Sequence, residues 1–231
     1  MSEQNAGEPD ASEPLASRPH ASEPLAGEPV RIAVMASGRG SNFRAIDERL
    51  SSMSAPPARI VLCLSNNPSP GAFDYARERG IPAMRLSPKM FEREEDYAAA
   101  LDETLERHGI ELIVLAGYMR KIPARVVERF TGRILNIHPA LLPEFGGEGM
   151  YGMHVHEAVI AAGARESGAS VHLVDGEYDT GAVVASERIA IAPDETPASL
   201  AERVLEVEHR LYPRVVIEWA ERLRAARESA H

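Results

Sequence analysis

An asparagine and a histidine two residues apart are the side chains in this sequence best placed to do chemistry. Asn136 and His138 follow the apolar residues Ile134 and Leu135, and Pro139 comes directly after them. Residues at i and i+2 of an extended strand project from one face, so the amide and the imidazole lie side by side. Because proline has no N–H and cannot continue a central strand, we expect the pair at the carboxyl end of a strand, where open α/β sheets build their sites.

Taken alone, the same pair is also typical of a capping asparagine and a structural histidine beside a turn. The surrounding segments decide between this structural interpretation and a catalytic one. Two of them are relevant: a glycine-rich turn, which suggests a ligand for the pair, and an acidic loop, which suggests a partner side chain.

The elements that must hold the pair alternate between strand-like and helix-like segments. This pattern predicts an α/β fold, a mostly parallel, Rossmann-like twisted sheet flanked by helices. The predicted strands are 30–36, 59–65, 112–116, 133–137, 170–174 and 185–191. The predicted helices are 42–51, 72–79, 91–108, 124–130, 154–162 and 196–224, and Pro213 kinks or divides the last of them.

A glycine-rich turn follows the first predicted strand and leads into a helix. Residues 37–42 read Ser-Gly-Arg-Gly-Ser-Asn. Such a turn presents unpaired backbone N–H groups and the positive end of the helix dipole, which predicts a phosphorylated small molecule as ligand. The segment is neither a Walker A loop nor a full dinucleotide fingerprint, so glycines that only form a tight turn are the alternative. In that case Ser37, Ser41 or Asn42 simply caps the helix.

An acidic loop follows the strand predicted at 170–174. Asp175, Glu177 and Asp179 lie in it without a cluster of His or Cys, so a solvated loop explains them better than a metal site, and we predict no metal. If Asp179 folds over beside His138, its charge would raise the pKa of the imidazole. His138 could then act as a general acid near neutral pH.

The composition excludes several classes of partner. The formal charge is −10, of which residues 1–29 carry −5 through six acidic residues and one arginine. Neither this segment nor the rest has the basic stripe of a nucleic-acid-binding protein, and no apolar run approaches the length of a membrane span. The amino terminus does not resemble a signal peptide. The single cysteine, Cys63, lies in an apolar run, which indicates a reducing, cytoplasmic setting without disulfides.

Residues 1–29 form a low-complexity segment in which Ala-Ser-Glu-Pro-Leu-Ala occurs twice. Frequent proline and few large apolar residues leave too little surface to bury against the entropy of ordering the chain. We therefore predict a disordered tail at 1–29 and one domain at 30–231.

From residue 30 to about residue 220, the sequence resembles the folate-dependent glycinamide ribonucleotide formyltransferases of purine synthesis. The matching motifs are Ser-Gly-x-Gly-Ser-Asn at 37–42, Ser-Asn at 65–66, Ala-Gly-Tyr-Met-Arg at 116–120, Asn-Ile-His-Pro-x-Leu-Leu-Pro at 136–143, Ser-Val-His at 170–172 with Asp-x-Gly at 179–181, Glu-His at 208–209 and Tyr-Pro at 212–213. The resemblance implies direct transfer of a formyl group from the co-substrate 10-formyltetrahydrofolate to the amino group of phosphoribosyl glycinamide. We expect these small molecules as partners, no nucleic acid or membrane, and a monomer or homodimer.

The resemblance also implies a role for each site residue. Asn136 and protonated His138 would hold the developing oxyanion, and Asp179 would keep His138 charged and assist proton movement. The residues that match contacts to the substrate phosphate and ribose are Gly40, Ser41, Asn42 and Glu208. The residues that match the folate-binding segments are Met119, Arg120, Lys121, Ile122, Asn136, Asp175, Gly176, Glu177, Tyr178 and Asp179.

Two departures from the family pattern concern the site. Residues 144–153 are longer and richer in glycine than the turn usual after Pro143, and we predict a mobile flap there, whose shortening should change the Michaelis constants. Lys121 occupies a position where an apolar residue is usual in the family, so its contact with the folate should differ from the usual one.

Three other functions compete with this interpretation. A methionyl-tRNA formyltransferase should carry a further RNA-binding domain and a basic surface, and a formyltetrahydrofolate hydrolase should carry a folded amino-terminal regulatory domain. We expect neither in this sequence, and the turn at 37–42 favours a phosphorylated acceptor. A non-catalytic nucleotide-binding module would explain the turn but would not explain the presence of Asn136, His138 and Asp179.

Overall fold

Seven strands form one sheet at the centre of the computed structural model, which describes residues 27–229. The tail predicted at 1–29 lies almost entirely outside the described residues. The strands are β1 (Val30–Met35), β2 (Ala58–Ser65), β3 (Ala83–Arg85), β4 (Leu112–Leu115), β5 (Ile134–His138), β6 (Glu166–Leu173) and β7 (Val183–Ala190). They lie in the order β3-β2-β1-β4-β5-β6-β7. The first five are parallel, and β6 and β7 each run antiparallel to the strand before, which confirms the predicted mostly parallel α/β sheet.

Helices cover both faces of the sheet. They are α1 (Ser41–Ser51), α2 (Gly71–Glu78), α3 (Glu94–Arg107), α4 (Ala124–Arg129), α5 (Met153–Ala161) and α6 (Pro197–Ser229), with a short 3₁₀ helix at Pro88–Met90. Successive residues of β1 point to opposite faces, so Val34 joins the core beneath α1, α5 and α6, and Ala33 joins the core beneath α3 and α4. Within residues 27–229, no helix combines the length and the apolar character needed to cross a membrane.

The last helix is continuous, so of the two alternatives predicted at Pro213, a kink or a division, the division is wrong. α6 runs over 33 residues with this proline inside it. The preceding residue, Tyr212, is fully buried, and its hydroxyl lies 3.0 Å from the carbonyl oxygen of Leu115 and 2.9 Å from that of Leu135. These contacts with β4 and β5 thus hold the helix in place where the proline removes a backbone hydrogen bond. The prediction also missed β3, whose three residues are too few for a periodic pattern.

The strand order determines where a site can form. The chain passes from β1 outward to β3 and then returns to β4 on the other side of β1, so the loops after β1 and β4 separate at the carboxyl edge of the sheet. β5 ends at the same edge. Because β6 runs antiparallel to β5, it leads away from that edge, and the loop after β6 has to fold back to reach it.

Candidate active site

Asn136 and His138 lie on one face of β5 at its carboxyl end, as the sequence predicts. The strand ends at His138, directly before Pro139. The ring of His138 is buried, with 3 % of the residue exposed, and Asn136 is half-buried. Nε2 of His138 lies 2.8 Å from the carbonyl oxygen of Phe145. Because a carbonyl only accepts hydrogen bonds, Nε2 carries the hydrogen, and Nδ1 faces the rest of the site.

Asp179 comes from the loop after β6, which folds back over the sheet. Its Oδ2 lies 3.5 Å from Nδ1 of His138 and accepts the N–H of Gly147 at 3.0 Å. Its Oδ1 lies 3.3 Å from Nε2 of His172 and 3.5 Å from Nδ2 of Asn136. The contact between Asp179 and His138, which sequence spacing left open, is therefore present. Asp179 has a φ of 55°, a strained conformation of the kind that recurs at functional sites.

The pKa of His138 differs from the one expected from the sequence. Burial lowers this pKa below its ordinary value of 6.5 and outweighs the nearby Asp179 carboxylate, which raises it. The bond to the Phe145 carbonyl also raises the pKa, whereas His172 lowers it. The expectation of a protonated ring counted the charge of Asp179 and not the loss of water around the imidazole, which acts against protonation. The lowered pKa favours a neutral ring, whose Nδ1 can accept a proton.

His172 is a site residue that belongs to the matching Ser-Val-His motif but to which the sequence assigned no role. It is buried on β6 directly opposite Asn136. Nδ1 of His172 donates to the carbonyl of Leu173 at 2.8 Å, which leaves Nε2 to accept an N–H of Asn136 at 2.9 Å. This bond fixes the orientation of the amide. A histidine in the apolar segment Ser-Val-His-Leu-Val was the available signal, but its place opposite Asn136 depends on the antiparallel direction of β6.

The glycine-rich turn forms the start of α1. Gly40 precedes the helix with a φ of 76°, a left-handed conformation that favours glycine. A Cβ at this position would lie 2.8 Å from the Cβ of Ala72 in α2, so packing requires glycine as well. No described side chain caps α1, so the alternative in which Ser37, Ser41 or Asn42 does so is wrong. The first backbone N–H groups of the helix thus have no side-chain acceptor among the described residues, which is what an anion site at a helix start requires.

Asn42 and Glu208, two of the predicted substrate contacts, are hydrogen-bonded to each other. Nδ2 of Asn42 donates to Oε2 of Glu208 at 2.6 Å, which joins α1 to α6. Both residues are buried, and Oδ1 of Asn42 has no hydrogen-bond partner among the described residues. A buried acceptor without a donor suits a ligand hydroxyl. A cavity of about 320 Å³ opens nearby, and the polar residues that line it include Arg39, Ser41, Arg44, Glu48 and His209.

Glu208 should make the free energy of unfolding depend on pH. Burial raises the pKa of Glu208 from 4.5 to about 7, so between these values the folded state keeps a proton that the unfolded state has released. The free energy of unfolding therefore falls as pH rises through that range, by at most about 3 kcal/mol from this group. Glu208→Gln should gain stability relative to the wild type by up to that amount between about pH 4.5 and pH 7, as measured by urea denaturation.

The difference in stability between variant and wild type isolates the effect of Glu208 from that of groups whose contribution to stability rises with pH. Burial lowers the pKa values of His138, His156 and His209, so these histidines favour stability at higher pH, and their effect cancels in the difference. Glu206→Gln, on the exposed side of α6, removes the same charge and should show no such dependence. An equal response of the two variants would contradict a protonated carboxyl at Glu208.

A polar network connects the turn with the segment after β4. Oγ of Ser37 donates to Oδ1 of Asn66 at 2.5 Å and accepts the N–H of Met119 at 2.8 Å. Nδ2 of Asn67 donates to the carbonyl of Ser37 at 2.6 Å. The loops after β1, β2 and β4 are thus held together, and the predicted phosphate turn shares an anchor with the first predicted folate segment.

The two segments predicted to hold the folate face each other across a narrow cleft. Nζ of Lys121 lies 3.2 Å from the carboxylate of Glu177 and bridges the two sides on the surface. Met119 and Gly176 are the two predicted folate residues that do not line the cleft. The site residues that line it are Arg120, Lys121, Ile122, Asn136, His172, Asp175, Glu177, Tyr178 and Asp179.

Three parts of the site thus lie along one edge of the sheet: the helix start with Asn42 and Glu208, the polar group on β5 and β6, and the cleft. Within the part of the chain that the structure describes, no group of three or more His, Cys, Asp or Glu side chains is arranged to hold a metal. Together these features define an α/β protein whose polar site lies on the same sheet edge as a helix start suited to an anion and as a narrow cleft.

Comparison with known proteins identifies the family. A sequence profile described as "Formyl transferase" matches residues 30–216, and the chain belongs to this family. It is 45% identical over 188 residues to the chloroplastic phosphoribosylglycinamide formyltransferase of Arabidopsis thaliana, covering 80% of this chain and 64% of that protein. It is 37% identical to the phosphoribosylglycinamide formyltransferase of Bacillus subtilis, covering 80% of this chain and 92% of that protein.

Solved structures agree with the sequence relatives. Glycinamide ribonucleotide transformylase 1 from Geobacillus kaustophilus has a TM-score of 0.76 at 36% identity, over 83% of this chain and 98% of that one. The phosphoribosylglycinamide formyltransferase from Brucella melitensis has a TM-score of 0.76 at 35% identity, over 84% and 96%. The chain spans 64% of the length of the Arabidopsis thaliana relative, 59% of the chloroplastic phosphoribosylglycinamide formyltransferase of Vigna unguiculata and 92% of the Bacillus subtilis relative.

Proposed function

We propose that the protein transfers the formyl group of 10-formyltetrahydrofolate to the amino group of phosphoribosyl glycinamide in purine synthesis. The observation that carries the proposal is that Asn136, His138 and Asp179 meet at one edge of the sheet, where Asn136 and Asp179 also line the cleft. A donor amide, a proton acceptor and a carboxylate meet there, next to residues that match folate-binding segments, and the helix start suited to a phosphate lies at the same edge. The Bacillus subtilis relative, of which the chain covers 92%, is named for the same activity.

The acceptor is bound between α1 and α6. Its phosphate lies at the backbone N–H groups of Gly40, Ser41 and Asn42, where the helix dipole favours an anion. Its ribose hydroxyls donate to Oδ1 of Asn42, which has no other described partner, and to the carboxyl group of Glu208. The amino group of the acceptor then points along the sheet edge toward His138.

The reaction begins when the amine nitrogen attacks the formyl carbon and the carbonyl electrons move to oxygen. One N–H of Asn136 is used by His172, and Nδ2 lies 3.5 Å from Asp179, a length at which a hydrogen bond is weak. The second N–H is therefore available to the oxyanion, where a donor lowers the barrier most.

His138 moves the proton that the reaction has to transfer. Because the ring is neutral, Nδ1 accepts the proton that the attacking amine loses, and the imidazolium is stabilised by Asp179. The ring then gives this proton to nitrogen 10 of the folate as the bond between that nitrogen and the formyl carbon breaks. The protonated histidine inferred from the family resemblance thus belongs to an intermediate stage and not to the ligand-free state.

Folate binding requires the loop at 175–179 to move. The cleft encloses about 50 Å³, whereas ligand pockets typically measure about 300 Å³ or more. The pair of Lys121 and Glu177 is exposed, and such surface pairs contribute little, so it does not keep the cleft closed. We expect the loop to move away from Lys121 when the formyl folate enters, which gives Lys121 a role at the mouth of the cleft.

The purified protein is expected to consume 10-formyltetrahydrofolate only when phosphoribosyl glycinamide is present. The reason is that the site provides a proton acceptor for an incoming amine next to a phosphate-binding turn. Release of tetrahydrofolate should be followed with the acceptor, without it, and with glycinamide lacking the phosphoribosyl group as a control for recognition by the turn. Equal turnover without acceptor would mean a formyltetrahydrofolate hydrolase, and saturable binding without turnover would mean a nucleotide-binding module.

We further propose a cytoplasmic setting and no nucleic-acid or membrane partner. The only cysteine, Cys63, is buried and free, and burial raises the pKa of its thiol to about 12. A protein of this kind needs no oxidising compartment. The Arabidopsis thaliana relative is named as chloroplastic, so fractionation of the source cells is the test of compartment. A monomer or homodimer stays our prediction for the assembly.

A further inference from the structure

Residues 145–147 contact both members of the pair formed by His138 and Asp179. The carbonyl of Phe145 accepts the hydrogen on Nε2 of His138 at 2.8 Å, and the N–H of Gly147 donates to Oδ2 of Asp179 at 3.0 Å. That same oxygen lies 3.5 Å from Nδ1 of His138. One backbone acceptor and one backbone donor, two residues apart, therefore fix the ring and its carboxylate relative to each other.

We propose that residues 145–147 act as a positioning clamp that selects the tautomer of His138, so that Nε2 keeps its hydrogen and Nδ1 alone exchanges protons with the substrates. The catalytic effect of the clamp rests on the proposed function. The fixed tautomer of His138 does not, because it is independent of which formyl acceptor the protein uses.

The backbone conformation of Phe145 and Asp179 supports the proposed clamp. Within residues 27–229, the non-glycine residues with positive φ are Phe145 at 54° and Asp179 at 55°. These are the two residues that face the two nitrogens of the His138 ring. Because this conformation costs a non-glycine residue about 1 kcal/mol or more, it persists only where the surroundings enforce it. The side chain of Phe145 supplies part of that enforcement by packing against the core beneath α1 and α6.

Gly146 shows how closely this segment approaches the carboxylate. A Cβ added to Gly146 would lie 3.2 Å from the Cβ of Asp179 and 2.5 Å from Cδ2 of Leu142. A side chain at this position would therefore push the segment away from Asp179. The glycine lets the backbone itself reach the carboxylate, so residues that were predicted to form a mobile flap include a part in direct contact with the site.

The titratable groups around His138 determine which ring nitrogen accepts a proton. His172 on β6, Asp179 in the loop after β6 and His156 on α5 all face the His138 ring. His156 is buried, and its Nδ1 has no partner among the described residues. Charge on His138 disfavours charge on His156, and His172 disfavours charge on His138. Only Nδ1 lies beside an anion, so a proton is accepted most readily there.

Nitrogen-15 NMR of the histidine rings tests the clamp directly on the full-length wild-type protein. The signals of His138 are assigned by their absence in His138→Gln. We expect a pyrrole-type shift for Nε2 and a pyridine-type shift for Nδ1 at neutral pH without ligands. The opposite tautomer, or an even mixture of the two, would overturn the proposal. This measurement involves no turnover, so it stands even if acceptor-dependent transfer is not found.

A matched pair of glycine variants tests the catalytic consequence. Gly147 and Gly149 have φ of 99° and 85°, and an added Cβ would meet nothing within 4 Å at either position. Alanine thus imposes a similar backbone strain at both, but only at Gly147 does it move an N–H away from Asp179. We expect kcat to fall about 10- to 100-fold in Gly147→Ala and less than about threefold in Gly149→Ala.

The pH profile separates lost positioning from general damage to the segment. Without the N–H of Gly147, the charge of Asp179 is less neutralised and raises the pKa of His138. The acid limb of kcat/KM should therefore move to higher pH in Gly147→Ala and stay in place in Gly149→Ala. Equal losses in both variants, or an acid limb that does not move in Gly147→Ala, would refute the clamp.

Discussion

His138→Ala is expected to lower kcat for formyl transfer by about a thousandfold while the Kd for phosphoribosyl glycinamide stays within about twofold. The ring is the proton acceptor closest to the reacting atoms in our mechanism, and general acid–base groups contribute about 100- to 10,000-fold. In our proposal the phosphate and ribose of the acceptor are bound by α1 and α6, whose Asn42 and Glu208 do not contact His138. Transfer should be followed by single-turnover kinetics, and acceptor binding by calorimetry.

Two additions make this result specific to the imidazole. Free imidazole should restore part of the activity of His138→Ala, because a small base can enter the space that the ring leaves. His108→Ala is the control, since His108 ends α3 at the opposite, amino-terminal edge of the sheet and bonds to Thr104 of the same helix. Full activity in His138→Ala, or an equal loss in His108→Ala, would refute the mechanism.

The sequence was sufficient to predict the architecture and the residues at the strand end. Alternation of apolar runs with helical segments predicts a layered α/β sheet whatever the side chains do at its edge. Asn136, His138 and Pro139 are adjacent in the chain, so their common position on β5 follows from the geometry of a strand. The start of α1 could be predicted for the same reason, because the turn and its helix are local.

What the sequence could not predict depends on contacts between distant segments. The place of His172 opposite Asn136 requires β6 to run antiparallel, and a pattern of apolar residues carries no direction. The lowered pKa of His138 depends on how much water the folded chain removes from its ring. The bond between Asn42 and Glu208 joins residues 166 positions apart, which spacing alone does not reveal.

Asp179→Asn is expected to lower kcat at least about 100-fold with little change in the Kd for the acceptor. Asp179 is half-buried, and although burial raises its pKa, His172, His138 and the N–H of Gly147 together hold that pKa below 3.8, so the carboxylate is ionised at neutral pH. In the proposed mechanism this charge stabilises the imidazolium that forms when His138 takes the amine proton. Asparagine has the same size but no charge, so kcat should fall while the fold is retained.

The direction of the pH shift distinguishes this role from a structural one. Since the Asp179 carboxylate raises the pKa of His138, removing its charge should lower that pKa further. Neutral His138 would then persist to lower pH, and the acid limb of kcat/KM should move down, opposite to the shift expected for Gly147→Ala. Asp74→Asn, which removes an exposed ion pair on α2, should alter neither kcat nor the limb. An acid limb that stays in place in Asp179→Asn would mean that the carboxylate acts on the shape of the loop and not on the charge of the ring.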